Sequence, residues 1–314
     1  MNGFINLKKE RGMTSFKCVA AVRKITGEKK TGHAGTLDPE AWGVLPVCLG
    51  QGSKCSEYFL RMRKSYRGEV TFGYATDTMD VWGTEIDRFE GSLDYITEEK
   101  VKKALQNFCG EIEQTPSMYS AIKKDGVPLY KLARQGVETE VVSRKVNIYD
   151  VTLESFLSAE ESEDGLPKAV FSVTCSKGTY IRSICNDLGK ALGCLGVMSA
   201  LCRTGYGEMR VEEGVTLEEL REAAEKGRLE ELILPLDFAL KDFPKAELSE
   251  KETVKYIQGK PVFTEFSRLV CDDDFEDGGE IALYSKGKVF AVAIGEVTDG
   301  KIRLKTNKFF GVEN

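Results

Sequence analysis

Segments with the two-residue period of a β-strand are interleaved along this chain with segments that have the period of an amphipathic helix. Residues 66–74 place large apolar side chains at alternate positions, which predicts a half-buried strand. Residues 97–108 begin with a threonine and two glutamates and carry an apolar stripe, which predicts a helix. Hairpin-like neighbours follow, with two strands predicted over residues 141–156 and one over 170–175. This order favours an α+β fold with a mixed, largely antiparallel sheet flanked by helices.

The chain has the length for one large domain and a smaller one, because its 314 residues are 41% hydrophobic. Two acidic amphipathic helices are predicted over residues 216–234, and the proline-containing segment 242–244 is typical of a linker. Beyond it, short strand-like segments separated by glycines predict a small β-rich module. We therefore expect one domain over residues 1–243 and a second over 246–314.

The sequence lacks the signals of an exported or membrane-bound protein. Its first seventy residues contain no secretory hydrophobic region, and no apolar run approaches the roughly 18 residues needed to cross a bilayer. The nine cysteines include no Cys-x-x-Cys pair, and with a single histidine a zinc site would depend on scattered thiolates. We expect a cytoplasmic protein with reduced, mostly buried thiols and no bound metal.

One glycine-punctuated loop combines an acidic residue with His33, the only histidine of the chain. Gly32 and Gly35 allow backbone conformations that other residues rarely adopt, and they let a ligand approach the main chain closely. Pro39 restrains Asp38 to an extended conformation, so the carboxylate is presented on a stiff segment. A solvated acidic turn is the alternative, since Asp-Pro and Gly-Thr pairs are common in turns.

The positive charge of the chain is concentrated around this loop. The formal net charge is −6, yet residues 1–70 carry 13 Lys and Arg against 6 Asp and Glu. A local basic surface attracts a polyanion even when the whole molecule is acidic, so the acidic total does not exclude RNA. Basic residues on both sides of the loop are candidates for phosphate contacts: Lys8, Lys9, Arg11, Lys17, Arg23, Lys24, Lys29, Lys30, Arg61, Arg63, Lys64 and Arg67.

A second turn, at residues 176–182, places Lys177, Tyr180 and Arg182 together between a predicted strand and a predicted helix. If the helix begins near Thr179, its first N–H groups and Arg182 form a positive spot that suits a carboxylate or a phosphate. The alternative is a surface arginine beside a core tyrosine.

Seven motifs occur in one fixed order along the chain. They are KTGHAGTLDP at 30–39, GVLPV at 43–47, KSY at 64–66, GYATDTMD at 73–80, QTPSMYSA at 114–121, CSKGTYIR at 175–182 and LCRTG at 201–205. Together these motifs resemble those of the TruB-type tRNA pseudouridine synthases, which isomerise uridine 55 in the TΨC arm of transfer RNA. The tail is similar to the PUA-like RNA-binding module of that family.

The resemblance implies a role for each matching position. Asp38 stands where the family has its nucleophile, Tyr66 where a tyrosine stacks on the target base, and Arg182 where an arginine pairs with the aspartate. Other matching positions are implied to contact or support the substrate: His33, Tyr180, Leu201, Lys64 and Asp80. The implied partner is tRNA, bound through its T-arm stem-loop, with no cofactor. The implied domains are a catalytic one over 1–243 and a PUA-like one over 246–314, in a protein that we expect to be a monomer.

The implied chemistry suits these residue types. Isomerisation breaks the bond between N1 and C1′ of the uridine, turns the base and joins C5 to C1′, so nothing is oxidised and no group leaves. A carboxylate serves by attacking C1′, by attacking C6, or by deprotonating a sugar intermediate, and the sequence does not choose among these routes. Arg182 would keep Asp38 ionised and oriented in a dry pocket. Tyr66 offers a face for the base and a hydroxyl near C5, so stacking and proton transfer both stay open.

Two other function classes compete with this reading. A non-catalytic protein that binds or folds RNA would keep its activity after Asp38→Asn. A hydrolase or phosphotransferase built on Asp38, Asp77 and Asp80 would need a divalent metal, and the sequence has no Walker loop. A synthase requires Asp38, Tyr66 and Arg182 to meet in one basic cleft.

Overall fold

The computed structural model describes residues 1–120, 122–124, 126–137, 139, 141–271 and 275–312. Thirteen strands precede residue 243 in this part of the chain: β1 (Gly3–Lys9), β2 (Thr31–His33), β3 (Trp42–Leu49), β4 (Lys64–Phe72), β5 (Tyr74–Thr76), β6 (Glu85–Arg88), β7 (Gly110–Gln114), β8 (Lys123–Lys124), β9 (Val127–Pro128), β10 (Arg144–Leu157), β11 (Lys168–Cys175), β12 (Gly196–Tyr206) and β13 (Met209–Arg210). Six follow: β14 (Lys245–Glu247), β15 (Phe263–Thr264), β16 (Leu269–Val270), β17 (Glu280–Ser285), β18 (Lys288–Thr298) and β19 (Lys301–Phe309).

Seven α-helices lie between these strands in the described ranges: α1 (Ser15–Thr26), α2 (Ser56–Arg61), α3 (Glu98–Gln106), α4 (Leu129–Arg134), α5 (Ile181–Ala191), α6 (Leu217–Glu225) and α7 (Glu250–Ile257). Side-chain caps fix several of their starts, since Thr97 accepts from the third helical N–H of α3 and Thr216 forms a capping box with Glu219 in α6. None of the described helices has both the length and the apolar character needed to cross a bilayer.

The strand order of the large sheet places β4 at its centre. The path runs β1-β3-β12-β4-β11-β10-β7, with β2 on β3 and β13 on β12. All of these pairings are antiparallel except β3 with β12, which is parallel where Trp42 meets Cys202. In this register Tyr66 lies between Arg203 of β12 and Val173 of β11. The largely antiparallel sheet with flanking helices confirms the predicted α+β class.

Helices cover the sheet where the sequence shows apolar stripes. α3 and α5 pack on one part of it through a core that contains Leu105, Phe171 and Leu188. α1 and α6 pack on β1 through a second core that contains Ile5 and Val22. Burial of apolar surface in these cores is the main force that holds the helices to the sheet.

The C-terminal strands form their own sheet, in the order β15-β19-β18-β17-β14-β16. This sheet does not pack as an independent unit, because Tyr284 and Phe310 share one core with Phe4 and Phe59 of the first part of the chain. Polar contacts join the same surfaces, where Glu280 accepts from Tyr58 at 3.2 Å. Removing the C-terminal sheet would therefore expose part of the main core.

One local expectation was wrong. The single strand β10 replaces the two strands predicted over 141–156, because bulges bend it without interrupting it. Residues 50–55 form a 3₁₀ turn ahead of α2. Thr14 caps α1, and the hydroxyl of the next residue, Ser15, exchanges two hydrogen bonds with the backbone of Leu37.

Candidate active site

A small cavity lies where the loop after β2, the first half of β4 and the start of α5 meet. Five of the residues predicted for the site line it: Asp38, Tyr66, Tyr180, Arg182 and Leu201. The sheet therefore brings together side chains that are far apart in the sequence. His33, Lys64 and Asp80 do not line this cavity.

The loop that carries Asp38 is held in place by a buried lysine. Lys9 of β1 is only 1% exposed, and its ammonium donates to the carbonyl of Pro39 at 2.8 Å and to that of Ala41. Burial lowers the pKa of Lys9. Ser15, at the start of α1, binds both the N–H and the carbonyl of Leu37. These contacts fix the backbone on both sides of the aspartate.

Arg203 and Tyr206 of β12 support the other end of the same loop. Arg203 donates from Nη2 to the carbonyl of Gly35 at 3.1 Å and from Nε to that of Val44 at 2.7 Å. Gly35 has a φ of +82°, and a Cβ there would lie 3.1 Å from the ring of Tyr206. Only glycine satisfies both the backbone angle and this close approach. The sequence identified Gly35 correctly, and Arg203 lies in the LCRTG motif, but the positions of Arg203 and Tyr206 behind the loop were not predicted.

Arg182 is the electrostatic centre of the site. Its Nε lies 3.2 Å from Oδ2 of Asp38, and its Nη1 lies 3.5 Å from Oδ2 of Asp80. Nη1 and Nη2 also donate to the carbonyls of Thr78 at 3.0 Å and Tyr119 at 3.1 Å. The arginine side chain is 7% exposed, whereas that of Asp38 is 43% exposed. A rigidly held guanidinium thus faces a carboxylate that a substrate can reach.

Asp80 helps to hold this arginine and lies behind it. Its Oδ1 accepts from the hydroxyl of Thr78 at 2.7 Å and from the N–H of Trp82 at 3.1 Å. Burial raises the pKa of Asp80, while the Thr78 hydroxyl and the Arg182 guanidinium oppose the rise. Met79 between them has a φ of +63°, which is unusual for a residue with a side chain. The Thr78–Asp80 turn therefore serves as a rigid support for Arg182.

Tyr66 presents its ring to the cavity from the central strand. Burial raises the pKa of its hydroxyl, and the Arg203 guanidinium beside the phenol opposes this rise. The phenol therefore stays protonated at neutral pH.

Tyr180 and Leu201 complete the wall of the cavity. The buried Gln114 clamps the backbone of Tyr180, because its side-chain carbonyl accepts from the Tyr180 N–H at 3.0 Å and its amide donates to the Tyr180 carbonyl at 3.2 Å. Leu201 is 6% exposed in β12. Sequence reasoning missed Gln114, although it lies in the QTPSMYSA motif.

His33 lies in β2, paired with Val47 of β3. It is half-buried, and its buried Nδ1 has no hydrogen-bond partner among the described residues. Burial, followed by the nearby Arg203, lowers the pKa of His33, so the imidazole is neutral at pH 7. A neutral ring at the base of the loop fits contact with an RNA nucleotide better than contact with a phosphate.

Lys64 and Lys9 correct the expectation that the flanking basic residues all face RNA. Lys64 is 6% exposed, and its Nζ donates to the carbonyls of Leu60 at 2.8 Å and Met62 at 2.7 Å. It lies 4.6 Å from the ring centroid of Tyr206. Burial lowers the pKa of Lys64 to about 8, and Arg203 adds to this effect. Both lysines point into the protein because of their positions in β1 and β4. Their ammonium groups therefore bind backbone carbonyls and stabilise the fold.

The low pKa of Lys64 makes the folded state more stable as the pH rises. Between about 8 and the ordinary value of 10.5, the unfolded chain binds a proton that the folded chain does not, so stability increases through this window. The neutral amine keeps two N–H donors for its two carbonyl acceptors. We expect the free energy of unfolding of the wild type, relative to Lys64→Met, to grow by roughly 1 to 3 kcal/mol between pH 7.5 and 10. Urea unfolding at both values tests this, and an unchanged difference would contradict it.

The described residues contain no cluster of three or more His, Cys, Asp or Glu side chains arranged to hold a metal ion. Two family models match the chain in adjacent segments. The N-terminal domain of the TruB family of pseudouridylate synthases matches residues 23–181, and a C-terminal domain of tRNA pseudouridylate synthase B matches residues 182–241. The chain belongs to the TruB family. Asp38, Tyr66 and Arg182 all lie in the segments that these two models cover.

Individual TruB relatives are similar over nearly the whole chain. A tRNA pseudouridine synthase B of Bacillus pumilus is 42% identical over 292 residues, which cover 91% of this chain and 93% of the relative. One of Alkaliphilus oremlandii is 41% identical and covers 90% of both chains. A solved archaeal box H/ACA sRNP Nop10-Cbf5 complex matches with a TM-score of 0.72 at 23% identity, covering 99% of this chain and 86% of that one. This last likeness supports the fold.

Proposed function

We propose that this pseudouridine synthase isomerises uridine 55 in the TΨC arm of tRNA, and that the carboxylate of Asp38 performs the attack. The observation that carries the proposal is the 3.2 Å contact between the accessible Asp38 and the buried Arg182, beside the ring of Tyr66 in one cavity. Relatives that share about 40% of the sequence are named tRNA pseudouridine synthase B, which supports tRNA as the substrate.

The reaction requires an ionised carboxylate within reach of the sugar of the target. Arg182 supplies the compensating charge there, and Asp80 with the two backbone carbonyls keeps it from turning away. The clamped loop from Gly35 to Ala41 keeps Asp38 within reach of the sugar while the base detaches. Attack at C1′, attack at C6 and proton removal from the sugar all use this same arrangement.

The target uridine lies inside a folded T loop, so it must leave the stack before Asp38 reaches it. Extrusion costs a few kcal/mol, which stacking on Tyr66 and contacts with Tyr180 and Leu201 offset. His33, at the base of the same loop, is in place to pack against the nucleotides that extrusion displaces. Lys64 lies inside the protein against the ring of Tyr206. Its role is to support the loop that carries Asp38, and not to contact the RNA.

We expect the ring of Tyr66 to matter more than its hydroxyl, because the raised pKa leaves little phenolate at neutral pH. Tyr66→Phe should lower kcat by about 10-fold or less, a smaller loss than general-base catalysis supplies. Tyr66→Ala should lower kcat/KM by about 100-fold, since it removes a stacking platform. Single-turnover kinetics on a T-arm hairpin measure both. A loss of 100-fold or more in Tyr66→Phe, with RNA still bound, would assign proton transfer to the hydroxyl.

The C-terminal residues 246–314 are proposed as a PUA-like RNA-binding domain after a catalytic domain over 1–243. In β19 the exposed side chains of Lys301, Arg303 and Lys305 alternate with buried Ile302 and Leu304. Glu296 pairs with both Arg303 at 4.0 Å and Lys305 at 3.1 Å, so three cations against one carboxylate leave this outer row with a net positive charge suited to RNA phosphates. The protein is proposed to act as a monomer in the cytoplasm, where its tRNA substrate is found.

Tritium at C5 of uridine gives a direct test of the proposed function. Joining C5 to C1′ expels the C5 hydrogen, so the wild-type protein should release one tritium per tRNA without added metal or nucleotide. Binding of tRNA without release would instead identify a protein that binds or folds RNA. Release only with a divalent metal would contradict the proposed chemistry.

A further inference from the structure

The turn between β11 and α5 carries positive charge that the catalytic step does not use. The sequence predicted an anion site here, formed by Arg182 and the first N–H groups of the helix. The helix begins at Ile181, and the guanidinium of Arg182 is bound inside the molecule to two carboxylates and two carbonyls. At least three of the five N–H donors of Arg182 are therefore already engaged within the protein.

Arg144, the first residue of β10, occupies the outer side of the same turn. Its guanidinium carbon lies 4.6 Å from the ring centroid of Tyr180, and its Nη2 donates to the carbonyl of Gly178. Gly178 has a φ of +84°, and a Cβ there would lie 3.5 Å from the guanidinium carbon. Stacking and the hydrogen bond thus fix an arginine on a residue that lines the catalytic cavity.

The charge of Arg144 is not compensated by any side chain that the structure describes. Across the ranges that the structure describes, Arg144 forms no ion pair, and its buried Nε has no hydrogen-bond partner. The adjacent Lys145 differs, because its ammonium is paired with Glu111 at 2.8 Å. Lys177, which is exposed on the same turn, adds a second positive charge. An uncompensated, half-buried guanidinium is a ready site for an anion.

We propose that Arg144 binds a backbone phosphate of the RNA next to the everted uridine, held for this task by its stacking on Tyr180. The inference rests on the proposed function, since it assigns one contact of the same substrate. It gives a role to Arg144, which has no carboxylate partner among the described residues and lies beside a cavity that is built around Arg182. The phosphate contact would place the sugar of the target over Asp38.

The competing explanation is that Arg144 only holds the ring of Tyr180 in place. The two explanations differ in the salt dependence of binding. Each RNA phosphate neutralised by the protein contributes about 0.7 to 0.9 to the slope of log Kd against log salt concentration. A residue that only supports Tyr180 would alter affinity or kcat without altering this slope.

The test measures Kd of a T-arm hairpin at several KCl concentrations in an Asp38→Asn background, which prevents conversion of the RNA. We expect Arg144→Met to lower the slope by about 0.8 and to raise Kd roughly 10-fold at 0.1 M salt. Arg144→Lys should keep the slope, because it keeps the charge. Lys145→Met, the neighbour already paired with Glu111, should leave the slope unchanged.

An unchanged slope in Arg144→Met would overturn the inference, even if affinity or kcat falls. An equal drop in Lys145→Met would also overturn it, because the effect would then reflect general surface charge. Turnover of the same hairpin by the wild-type protein is measured in parallel. If the wild type does not convert it, the proposed function fails; if it does and the Arg144→Met slope is unchanged, only the Arg144 inference fails.

Discussion

Replacing Asp38 by asparagine should abolish turnover while leaving RNA binding nearly intact. The change keeps the size of the side chain and removes the accessible carboxylate that is paired with Arg182. Loss of an attacking group lowers kcat by about 10⁴-fold or more. Kd for the hairpin should change by less than about threefold, because the phosphate and stacking contacts come from other residues. Single-turnover conversion and equilibrium binding measure the two quantities.

A matched control for Asp38→Asn is Asp164→Asn. Asp164 is also an ion-paired aspartate, 2.8 Å from Lys168, but it lies on the connection between β10 and β11, away from the cavity. Its replacement should leave kcat and Kd unchanged. If Asp38→Asn keeps substantial turnover, the carboxylate is not the reacting group. If it folds but no longer binds RNA, the separation between chemistry and binding is wrong.

Arg182→Met should lose both activity and stability. The change removes the cation beside the mostly buried Asp80 and removes the guanidinium that donates to the carbonyls of Thr78 and Tyr119. Removing one partner of a buried ion pair costs roughly 3 to 5 kcal/mol of folding free energy. We expect kcat to fall by about 100-fold or more, because Asp38 loses both its counter-charge and its orientation. Urea unfolding and single-turnover kinetics provide the two measurements.

Arg182→Lys tests the positive charge of the side chain separately from the planar geometry of the guanidinium. A lysine keeps the positive charge but cannot contact two carboxylates and two carbonyls in one plane, so it should restore part of the stability and little of the activity. Arg228→Met, which removes an exposed arginine paired with Glu231, should change neither. Full activity in Arg182→Lys would mean that the planar fork is unnecessary. Normal activity in Arg182→Met would remove Arg182 from the mechanism.

The α+β class was predictable from the sequence for physical reasons, whereas the meeting of Asp38, Tyr66 and Arg182 was expected only from the resemblance to the TruB family. Alternating side chains in residues 66–74 require one buried face, and the motifs that contain Asp38 and Tyr180 are short loops next to predicted strands. The meeting of β3 with β12 was not predictable, because a parallel contact between Trp42 and Cys202 leaves no local pattern. That contact is what brings Arg203 behind the Asp38 loop.

The roles of the charged residues could not be read from the sequence. Lys9 and Lys64 lie in a basic segment that indicates RNA contacts, yet their positions in β1 and β4 turn both inward. Arg144 lies outside that segment and gave no signal, although it forms no ion pair in the described part of the chain and lies against the turn before α5. The net charge of a segment predicts the local electrostatic field, but the strand register decides which of its charged side chains reach the surface.

The central claim is that Asp38, held by Arg182, rearranges the glycosidic bond of one everted uridine in the T arm. Mass-spectrometric mapping of carbodiimide-labelled tRNA after incubation with the wild-type protein tests it most directly. The account predicts label at a single nucleotide, uridine 55, with no label after incubation with Asp38→Asn. Unlabelled RNA from the wild-type reaction, or label that persists with Asp38→Asn, would contradict it.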